Sequence, residues 1–426
     1  MANQKGKRKI NQQEKIGTPF LFKDVAPMDY VLLATVLIIL VFGLVMLFSV
    51  SYAAGYYQYK DSFYYIKNQL TLAIVGLGAM WLASYVNIQW LQLFTWPLYL
   101  LSIILLCAVF LFTPPPELAG FHRWIYIGGS SFQPSEIAKF SIAVSCAWLA
   151  VKYEKKIRSR NIVQNFGYGV GLFLLVLAPM AFLIFKEPHL SATIIMCCIT
   201  AIVMFMAGTH WFWWSILATI VGVGVSLLGL FMDQLLKILP EHTHDRLLLW
   251  KDPFSDALGA GMQTVQGLYA IGSGGLQGLG IGNSRQKHLW VPEPYNDFIF
   301  SIVCEELGFI GAVLILSLFA LLIIRGFWIA VKCPNRFAGL VAAGITGQVA
   351  AQVFFNIGVV TGLLPNTGIS LPFFSYGGTS LMMLLGQMGI LLAISRIQPE
   401  KETKELTQQP ARQVHLRVAT REGIEL

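Results

Sequence analysis

About ten apolar stretches, each long enough to cross a lipid bilayer, occupy most of this chain between residues 29 and 396. A hydrocarbon core of roughly 30 Å requires about 20 apolar residues in a helix, because only a helix or a closed barrel satisfies its backbone hydrogen bonds in lipid. The spans lie near residues 29–51, 69–86, 91–112, 134–151, 166–185, 190–207, 211–233, 298–324, 337–362 and 376–396. The sequence therefore predicts an all-α polytopic membrane protein with about ten transmembrane helices.

The composition leaves little chain for a soluble domain. Only 12% of the 426 residues are charged and 56% are hydrophobic, whereas soluble domains are about a quarter charged. We expect a basic tail at residues 1–28, one membrane domain at 29–397 with a long loop at 234–297 between helices 7 and 8, and a polar tail at 398–426. The first span is too long for a signal-peptide core, so we expect it to be retained.

The basic residues define an orientation. If the amino terminus is cytoplasmic, 20 of the 30 Lys and Arg residues fall in cytoplasmic segments, as basic residues in short loops do. Both termini are therefore predicted to lie inside. The long loop and three irregular segments, at residues 112–136, 186–191 and 363–380, are predicted to lie outside. This topology and contact with anionic membrane lipids account for the net charge of +8, so nucleic acid is not expected as a partner.

Three acidic residues enter the eighth span from the Pro-rich stretch WVPEPYNDF: Asp297, Glu305 and Glu306. Charges inside a membrane are costly and usually face a bundle interior or a wet cavity. On a continuous helix Glu305 lies about 80° around from Asp297 and about 12 Å deeper, so both could border one cavity while Glu306 faces the opposite side. The structural alternatives are a helix amino-terminal acid for Asp297 and buried, paired acids for the two glutamates.

A second polar cluster, FQPSEIAK at residues 132–139, opens the fourth span. Glu136 and Lys139 have the i,i+3 spacing of a pair that neutralises itself, but Lys139 could instead hold a phosphate at the helix amino terminus. Arg123 and Trp124, a short distance before it, place a cation beside a large ring. They are either an interfacial anchor or a pair that grips a phosphate and stacks on a sugar.

Other segments carry weaker signals. The glycine-rich stretch at residues 267–284 lacks the order of a P-loop and is either a tight loop against the membrane surface or a loop whose N–H groups approach a pyrophosphate or sugar. EHTHDR at 241–246 could ligate a metal, although a solvated surface is the preferred interpretation. His189 is interpreted as marking a helix break. The six cysteines show no CxxC spacing, which argues against a zinc site and a disulfide framework.

The motifs follow one another in a familiar order: HRWI with QPSEIAK, WKDPF at 250–254, PEPYNDFIFSIVCEELG and TGISLPFFSYGGTS. From about residue 29 to residue 397 the chain resembles the SEDS family of bacterial envelopes, which includes FtsW, RodA and SpoVE. GNSRQK and PEP are more similar to the FtsW and SpoVE branch, and to FtsW above all, than to RodA.

The resemblance implies a ten-helix peptidoglycan glycosyltransferase that polymerises lipid II at the outer face of the bacterial cytoplasmic membrane, with septal synthesis in cell division as the expected role. It implies a class B penicillin-binding protein, the transpeptidase, and other divisome membrane proteins as partners. Asp297 matches the family's essential aspartate and is the expected catalytic base. The expected substrate-binding residues are Arg123, Trp124, Glu136, Lys139, Glu305 and Ser191.

Two departures from the family pattern stand near these residues. Asn296 replaces a common Thr, and KEPHLS replaces the frequent QPDLG, so the turn at 186–191 is expected to position its ligand differently. A departing diphosphate needs positive charge, for which Arg123 and Lys139, or a divalent cation such as Mg²⁺ or Mn²⁺, are the candidates; no organic cofactor is expected. A lipid II flippase or transporter and a scaffold that only recruits the transpeptidase stay open as alternatives.

Overall fold

The structure is a computed structural model. It describes residues 27–112, 123–127, 130–187, 189–236, 247–288 and 290–397. The helices are α1 (Tyr30–Tyr59), α2 (Tyr64–Ala83), α3 (Ile88–Leu93), α4 (Thr95–Val109), α5 (Pro134–Lys152), α6 (Glu154–Ile157), α7 (Ile162–Phe166), α8 (Leu172–Lys186), α9 (Leu190–Ala207), α10 (Trp211–Leu236), α11 (Met262–Ser273), α12 (Ile299–Lys332), α13 (Arg336–Val360) and α14 (Gly378–Ser395). A π-helical turn, Gly167–Gly171, joins α7 to α8, and a 3₁₀ turn, Pro253–Asp256, precedes α11.

Each predicted span coincides with a helix, which confirms the prediction of an all-α polytopic membrane protein. Within the described residues, seven helices have the length and apolar composition to cross a membrane: α1, α2, α7 continued by α8, α9, α12, α13 and α14. The helix α4 and the first part of α10 are shorter apolar helices. Although α5 is less apolar, most of its residues are buried, so this helix meets protein rather than lipid and can carry polar side chains.

Small residues allow α13 to occupy the centre of the bundle. A Cβ added at Gly344 would lie 2.8 Å from the Cβ of Ala143 on α5, and one added at Gly347 would lie 2.5 Å from Cδ1 of Ile202 on α9. Membrane helices approach one another closely where such small residues face a neighbour. The close approach brings α5, α9 and α13 together, and these helices carry polar residues described below.

The helix α12 is broken at Gly308, where φ is 67° and ψ is −170°. The loop that follows α11 fills the break: the N–H groups of Leu279 and Gly280 donate to the carbonyls of Glu305 and Glu306 at 2.9 Å. In return, the N–H groups at 309 and 310 donate to the carbonyls at 275 and 276, at 2.9 and 3.1 Å. The loop thus replaces the hydrogen bonds that a continuous helix would make, as the membrane environment requires.

The glycines of this loop serve that close approach. A Cβ at Gly274 would lie 2.0 Å from the carbonyl oxygen of Cys304, and one at Gly278 would lie 2.2 Å from that of Glu306. The tight-loop interpretation of the glycine-rich stretch is therefore the one that the structure favours, with α12 rather than the membrane surface as the packing partner.

A two-stranded antiparallel hairpin, β1 (Ile125–Ile127) and β2 (Ser130–Phe132), lies between α4 and α5. The sequence predicts only an irregular segment at residues 112–136. The hairpin leads directly into Pro134 at the first turn of α5, and Arg123 and Trp124 come immediately before its first strand. It therefore fixes the position of these two side chains relative to the amino terminus of α5.

Candidate active site

A cavity of about 340 Å³ lies at one end of the helix bundle. Its wall comes from five parts of the chain: the segment around the hairpin with the start of α5, the start of α9, the segment before α12, residues 368–384, and side chains of α13. The polar residues on the wall include Arg123, Trp124, Gln133, Glu136, Lys139, His189, Ser191, Glu293, Asn296, Asp297, Gln348 and Gln352. The cavity is therefore polar although the surrounding helices are apolar.

Asp297 stands just before α12 and is held by hydrogen bonds from two directions. Asn356 of α13 donates its side-chain amide to the backbone carbonyl of Asp297 at 2.7 Å. Gln263 of α11 donates to Oδ1 of Asp297 at 3.4 Å and itself accepts a hydrogen bond from Asn366 at 3.1 Å. The carboxylate is thus oriented toward the cavity by residues that belong to three other segments of the chain.

Glu136 and Lys139 form the ion pair that the sequence predicts. Lys139 Nζ lies 2.8 Å from Glu136 Oε1, and the two side chains are 5% and 10% exposed. Both also line the cavity. The pairing and the proposed role in binding are compatible, because a charge-balanced pair at the cavity wall is stable without ligand and can still present an ammonium group to an anion.

The turn before α9 brings two titratable side chains to the site. Glu187 is buried, and burial raises its pKa to about 8 although nearby Arg123 acts in the opposite direction. His189 is also buried; burial, with repulsion from Arg123 and Lys139, lowers its pKa to about 3. At neutral pH the imidazole is therefore neutral and the carboxyl group of Glu187 is mostly protonated.

Ser191 follows in the first turn of α9 and donates its hydroxyl to the carbonyl of Thr367 at 2.7 Å. Gly368 comes next in that loop, and a Cβ built on it would lie 3.9 Å from Oδ2 of Asp297. Ser191 therefore ties α9 to the loop beside Asp297 as well as lining the cavity.

The structure brings most of the predicted site residues together, namely Asp297, Arg123, Trp124, Glu136, Lys139 and Ser191. Glu305 is not among the residues that line this cavity. Its carboxylate instead accepts hydrogen bonds from the hydroxyl of Ser284 and from the backbone N–H of Arg285 at 3.0 Å.

The loop after α11 is the physical reason for the position of Glu305. Because this loop packs along α12 on the side of Glu305, it encloses both glutamates. Glu306 accepts from the backbone N–H of Ser284 at 3.3 Å and pairs with Lys287 at 2.9 Å. The interpretation of Glu305 and Glu306 as buried, paired acids is therefore the one that fits, and the expected placement of Glu305 beside Asp297 is corrected.

Sequence reasoning missed Gln348 and Gln352 and gave no binding role to His189, although all three line the cavity. A usable signal existed for the helix α13: Gln348, Gln352 and Asn356 recur every four residues in an otherwise apolar span, which places them on one face. His189 marks the start of α9, as the sequence predicts, and also faces the cavity.

Within the ranges that the structure describes, no three His, Cys, Asp or Glu side chains are grouped as ligands for a metal ion. The EHTHDR segment at 241–246 lies outside these ranges. The charged groups at the site thus comprise the carboxylates of Glu293 and Asp297 on the wall before α12, and Arg123 with the Lys139–Glu136 pair on the wall formed by the hairpin segment and α5. This arrangement suits a ligand that carries both an anionic group and a hydroxyl group to be deprotonated.

The comparisons with known proteins agree with this geometry. Residues 29–400 match the model of the FtsW, RodA and SpoVE family, described as cell cycle proteins. The chain is 38% identical to stage V sporulation protein E of Bacillus subtilis, with 86% of this chain and 97% of the relative covered. It is 33% identical to the probable peptidoglycan glycosyltransferase FtsW of Geobacter metallireducens, with 88% and 96% covered.

Solved structures show the same fold. A chain from a peptidoglycan synthase complex, in which polymerization and crosslinking are coordinated, superposes with a TM-score of 0.68 at 28% identity and covers 87% of this chain and 98% of its own length. The rod shape determining protein RodA of Thermus thermophilus has a TM-score of 0.60 at 27% identity, with 87% and 98% covered. The protein described here belongs to the SEDS family of FtsW, RodA and SpoVE proteins.

Proposed function

We propose that this chain is a peptidoglycan glycosyltransferase that polymerises lipid II into glycan strands, with septal wall synthesis in cell division as its role. The relatives named as peptidoglycan glycosyltransferases support the activity. The observation that carries the proposal is the placement of Asp297 in one polar cavity with Arg123 and Lys139. A glycosyl transfer with a diphosphate leaving group needs these charges: a base for the attacking hydroxyl on one side of the reacting carbon, and cations for the leaving diphosphate on the other.

In the proposed reaction, the 4-hydroxyl of one lipid-linked disaccharide attacks the anomeric carbon of another. The new glycosidic bond forms as the bond to undecaprenyl diphosphate breaks, and the departing oxygen takes the electron pair. Asp297 accepts the proton of the attacking hydroxyl, a contribution of roughly 10²- to 10⁴-fold for a well-placed base. Arg123 and Lys139 stabilise the negative charge that develops on the diphosphate.

The polyprenyl chains of such substrates explain why the site lies among membrane helices. An amphiphilic substrate keeps its tail in lipid while its sugar and diphosphate enter the polar cavity. The proposal places this cavity on the outer face, with both termini cytoplasmic, in agreement with the distribution of basic residues. It also assigns a class B penicillin-binding protein, with other divisome membrane proteins, as the partners that use and direct the product.

A divalent cation such as Mg²⁺ or Mn²⁺, when bound, supplies further positive charge to a diphosphate. The described residues do not group three metal-binding side chains, so no step is assigned to such an ion. Comparing polymerisation in EDTA with polymerisation in added Mg²⁺ or Mn²⁺ tests the requirement directly.

The main test is polymerisation of labelled lipid II by the purified chain with its transpeptidase partner, blocked by penicillin. Wild type is expected to give glycan ladders, and Asp297→Ala and Asp297→Asn are expected to give none. Asp61→Asn is the matched control: it removes an acid in the α1–α2 connection, also predicted to be extracytoplasmic, whose side chain pairs with Lys67, and it should retain the ladders. Ladders from Asp297→Asn at the wild-type level would remove Asp297 as the base.

The same preparations separate the alternative functions. If wild type gives no ladder while its complex with the transpeptidase is intact, the flippase and scaffold alternatives gain support. Translocation of labelled lipid II across vesicles by the chain alone would then identify a flippase. A scaffold predicts that Asp297→Asn preserves both partner binding and growth of cells.

A further inference from the structure

His189 is a buried polar side chain at the cavity with an unsatisfied nitrogen. It is 8% exposed, lines the cavity, and its Nδ1 has no hydrogen-bond partner within the described residues. Leaving a buried polar atom unpaired destabilises a structure, and such atoms in native proteins usually have a reason. A nitrogen held in this way at a cavity wall is suited to a ligand.

The charges around His189 indicate what that ligand is. Arg123 approaches from the segment before β1 and Lys139 from α5, and both oppose protonation of the imidazole. The acids of the same region are Glu136, which is paired with Lys139, Glu187 on the same turn, and Glu293 and Asp297 on the wall before α12. The imidazole thus faces two cations, Arg123 and Lys139, of which Lys139 is paired with Glu136.

An anion that binds between these groups changes the electrostatics of the imidazole. A phosphate that binds beside Arg123 and Lys139 makes the potential at His189 more negative. An opposite charge within about 4–6 Å favours the charged form of a titratable group and moves its pKa by about 1–3. The pKa of the imidazole, about 3 in this structure, therefore rises into the weakly acidic range when the anion is bound, and the protonated imidazole donates charge-assisted hydrogen bonds through its N–H groups.

We propose that His189 is a diphosphate-binding residue of this site and that, in weakly acidic solution, it takes up a proton from solvent when the diphosphate binds. The inference rests on the proposed function, because it assigns His189 to the same diphosphate that leaves in the polymerisation reaction. Protonated His189 adds a third positive charge beside Arg123 and Lys139 at the moment the leaving group is bound. The proton returns to solvent when the diphosphate departs.

Calorimetric titration of the purified full chain with inorganic pyrophosphate tests the proposal. Titrations at pH 5 in two buffers of different ionisation enthalpy give the number of protons taken up on binding. Wild type is expected to take up a proton that His189→Asn does not, up to about one per bound pyrophosphate. The variant is expected to bind about 10- to 100-fold more weakly, because a hydrogen bond to a charged group is lost.

Control variants separate His189 from its neighbours. Glu187→Gln removes the other group on this turn that titrates near neutral pH. In the Glu187→Gln background, His189→Asn should lower the proton uptake by the same amount as it does in wild type. His189→Gln is a second replacement at this position. The melting temperatures of wild type and of each variant show whether a loss of binding comes from a loss of fold. A folded His189→Asn variant with the wild-type affinity, or with the wild-type proton count, overturns the proposal.

Failure of this inference can be told apart from failure of the proposed function. If wild type binds pyrophosphate and polymerises lipid II but His189→Asn behaves identically, only the role of His189 is lost. If wild type polymerises lipid II yet does not bind pyrophosphate, the role of His189 is likewise overturned while the activity stands. Polymerisation on the same preparation thus tests the function independently.

Discussion

The side-chain amide nitrogen of Asn356 lies 2.7 Å from the backbone carbonyl oxygen of Asp297. The same amide donates to the carbonyl of Ile369 at 2.8 Å. Because Asn356 belongs to the buried central helix α13, it attaches both the segment before α12 and the loop at 363–377 to the buried interior of the bundle. The position of the proposed base is therefore set by a residue that does not touch the cavity itself.

Replacing Asn356 should weaken both the fold and the activity. Asn356→Leu keeps a similar volume but leaves two carbonyl groups without their donor, which should cost about 1–3 kcal/mol of unfolding free energy. We expect lipid II polymerisation to fall at least about 10-fold, because misplacement of a catalytic group by about 1 Å can cost 100-fold.

Thr361→Ala is the matched control for Asn356→Leu. Thr361 follows α13 and bonds only back to that helix, at the carbonyls of Ile357 and Gly358, so its loss should leave polymerisation unchanged. Wild-type polymerisation by folded Asn356→Leu would show that Asp297 does not depend on this hydrogen bond.

The spans and the Glu136–Lys139 pair could be predicted from sequence because their signals are local. Apolar length defines a span, and the i,i+3 spacing defines the pair. The placement of Glu305 could not, since its prediction assumed a helix that includes Asp297, whereas α12 begins at Ile299 and the loop after α11 covers Glu305. The break at Gly308 depends on hydrogen bonds with residues about 30 positions earlier, and no local pattern reveals such a partner.

The residues of the cavity wall could likewise be predicted only in part from sequence. The spacing of Gln348 and Gln352 shows that they share one face of α13, but not which face meets the cavity. That choice follows from the close packing of Gly344 and Gly347 against α5 and α9, which is a property of three helices together.

Substitution of Gly308 should be severely destabilising. Its φ of 67° with ψ of −170° belongs to a region that is essentially restricted to glycine. A Cβ here would also lie 2.3 Å from the backbone nitrogen of Gly278, so the loop would have to move away from α12. We expect Gly308→Ala to cost more than about 3 kcal/mol, measured by unfolding of the purified protein in detergent.

Gly272→Ala provides the comparison for Gly308. Gly272 lies inside α11, and a Cβ added there would meet no atom within 4 Å. Alanine favours a helix over glycine by about 0.5–1 kcal/mol, so this variant should be as stable as wild type or slightly more stable. Equal stability of the two alanine variants would contradict the role assigned to the break in α12.

The buried pair of Lys287 and Glu306 should also be sensitive to loss of one partner. The side chains are 4% and 0% exposed, and Lys287→Met would leave the Glu306 carboxylate uncompensated, at a cost of about 3–5 kcal/mol. Adding Glu306→Gln should recover much of that loss, since it removes the unpaired charge. Lys67→Met, which breaks an exposed and solvent-screened pair with Asp61, should cost far less; a similar cost for both lysines would refute the argument.

The buried carboxyl group of Glu187 should make stability depend on pH. Burial raises its pKa from 4.5 to about 8, so the folded state holds a proton that the unfolded state releases as pH rises above 4.5. The stability that this group contributes is fully present below pH 4.5 and is lost as pH rises through about 8. The side chain introduced by Glu187→Gln cannot ionise, so this variant should not lose that stability as pH rises.

Melting temperatures of wild type and Glu187→Gln between pH 5 and pH 9 measure the effect. The variant should gain on wild type as pH rises, by about 2–5 °C at the alkaline end. The titration of His189 is common to both proteins, so the difference between them isolates Glu187. Asp61→Asn is the control: its pKa lies below the ordinary range because of Lys67, so its offset from wild type should be constant. A constant offset for Glu187→Gln as well would mean that Glu187 is ionised in the folded protein, and Arg123, the cation that acts on it, would then be the group that keeps it so.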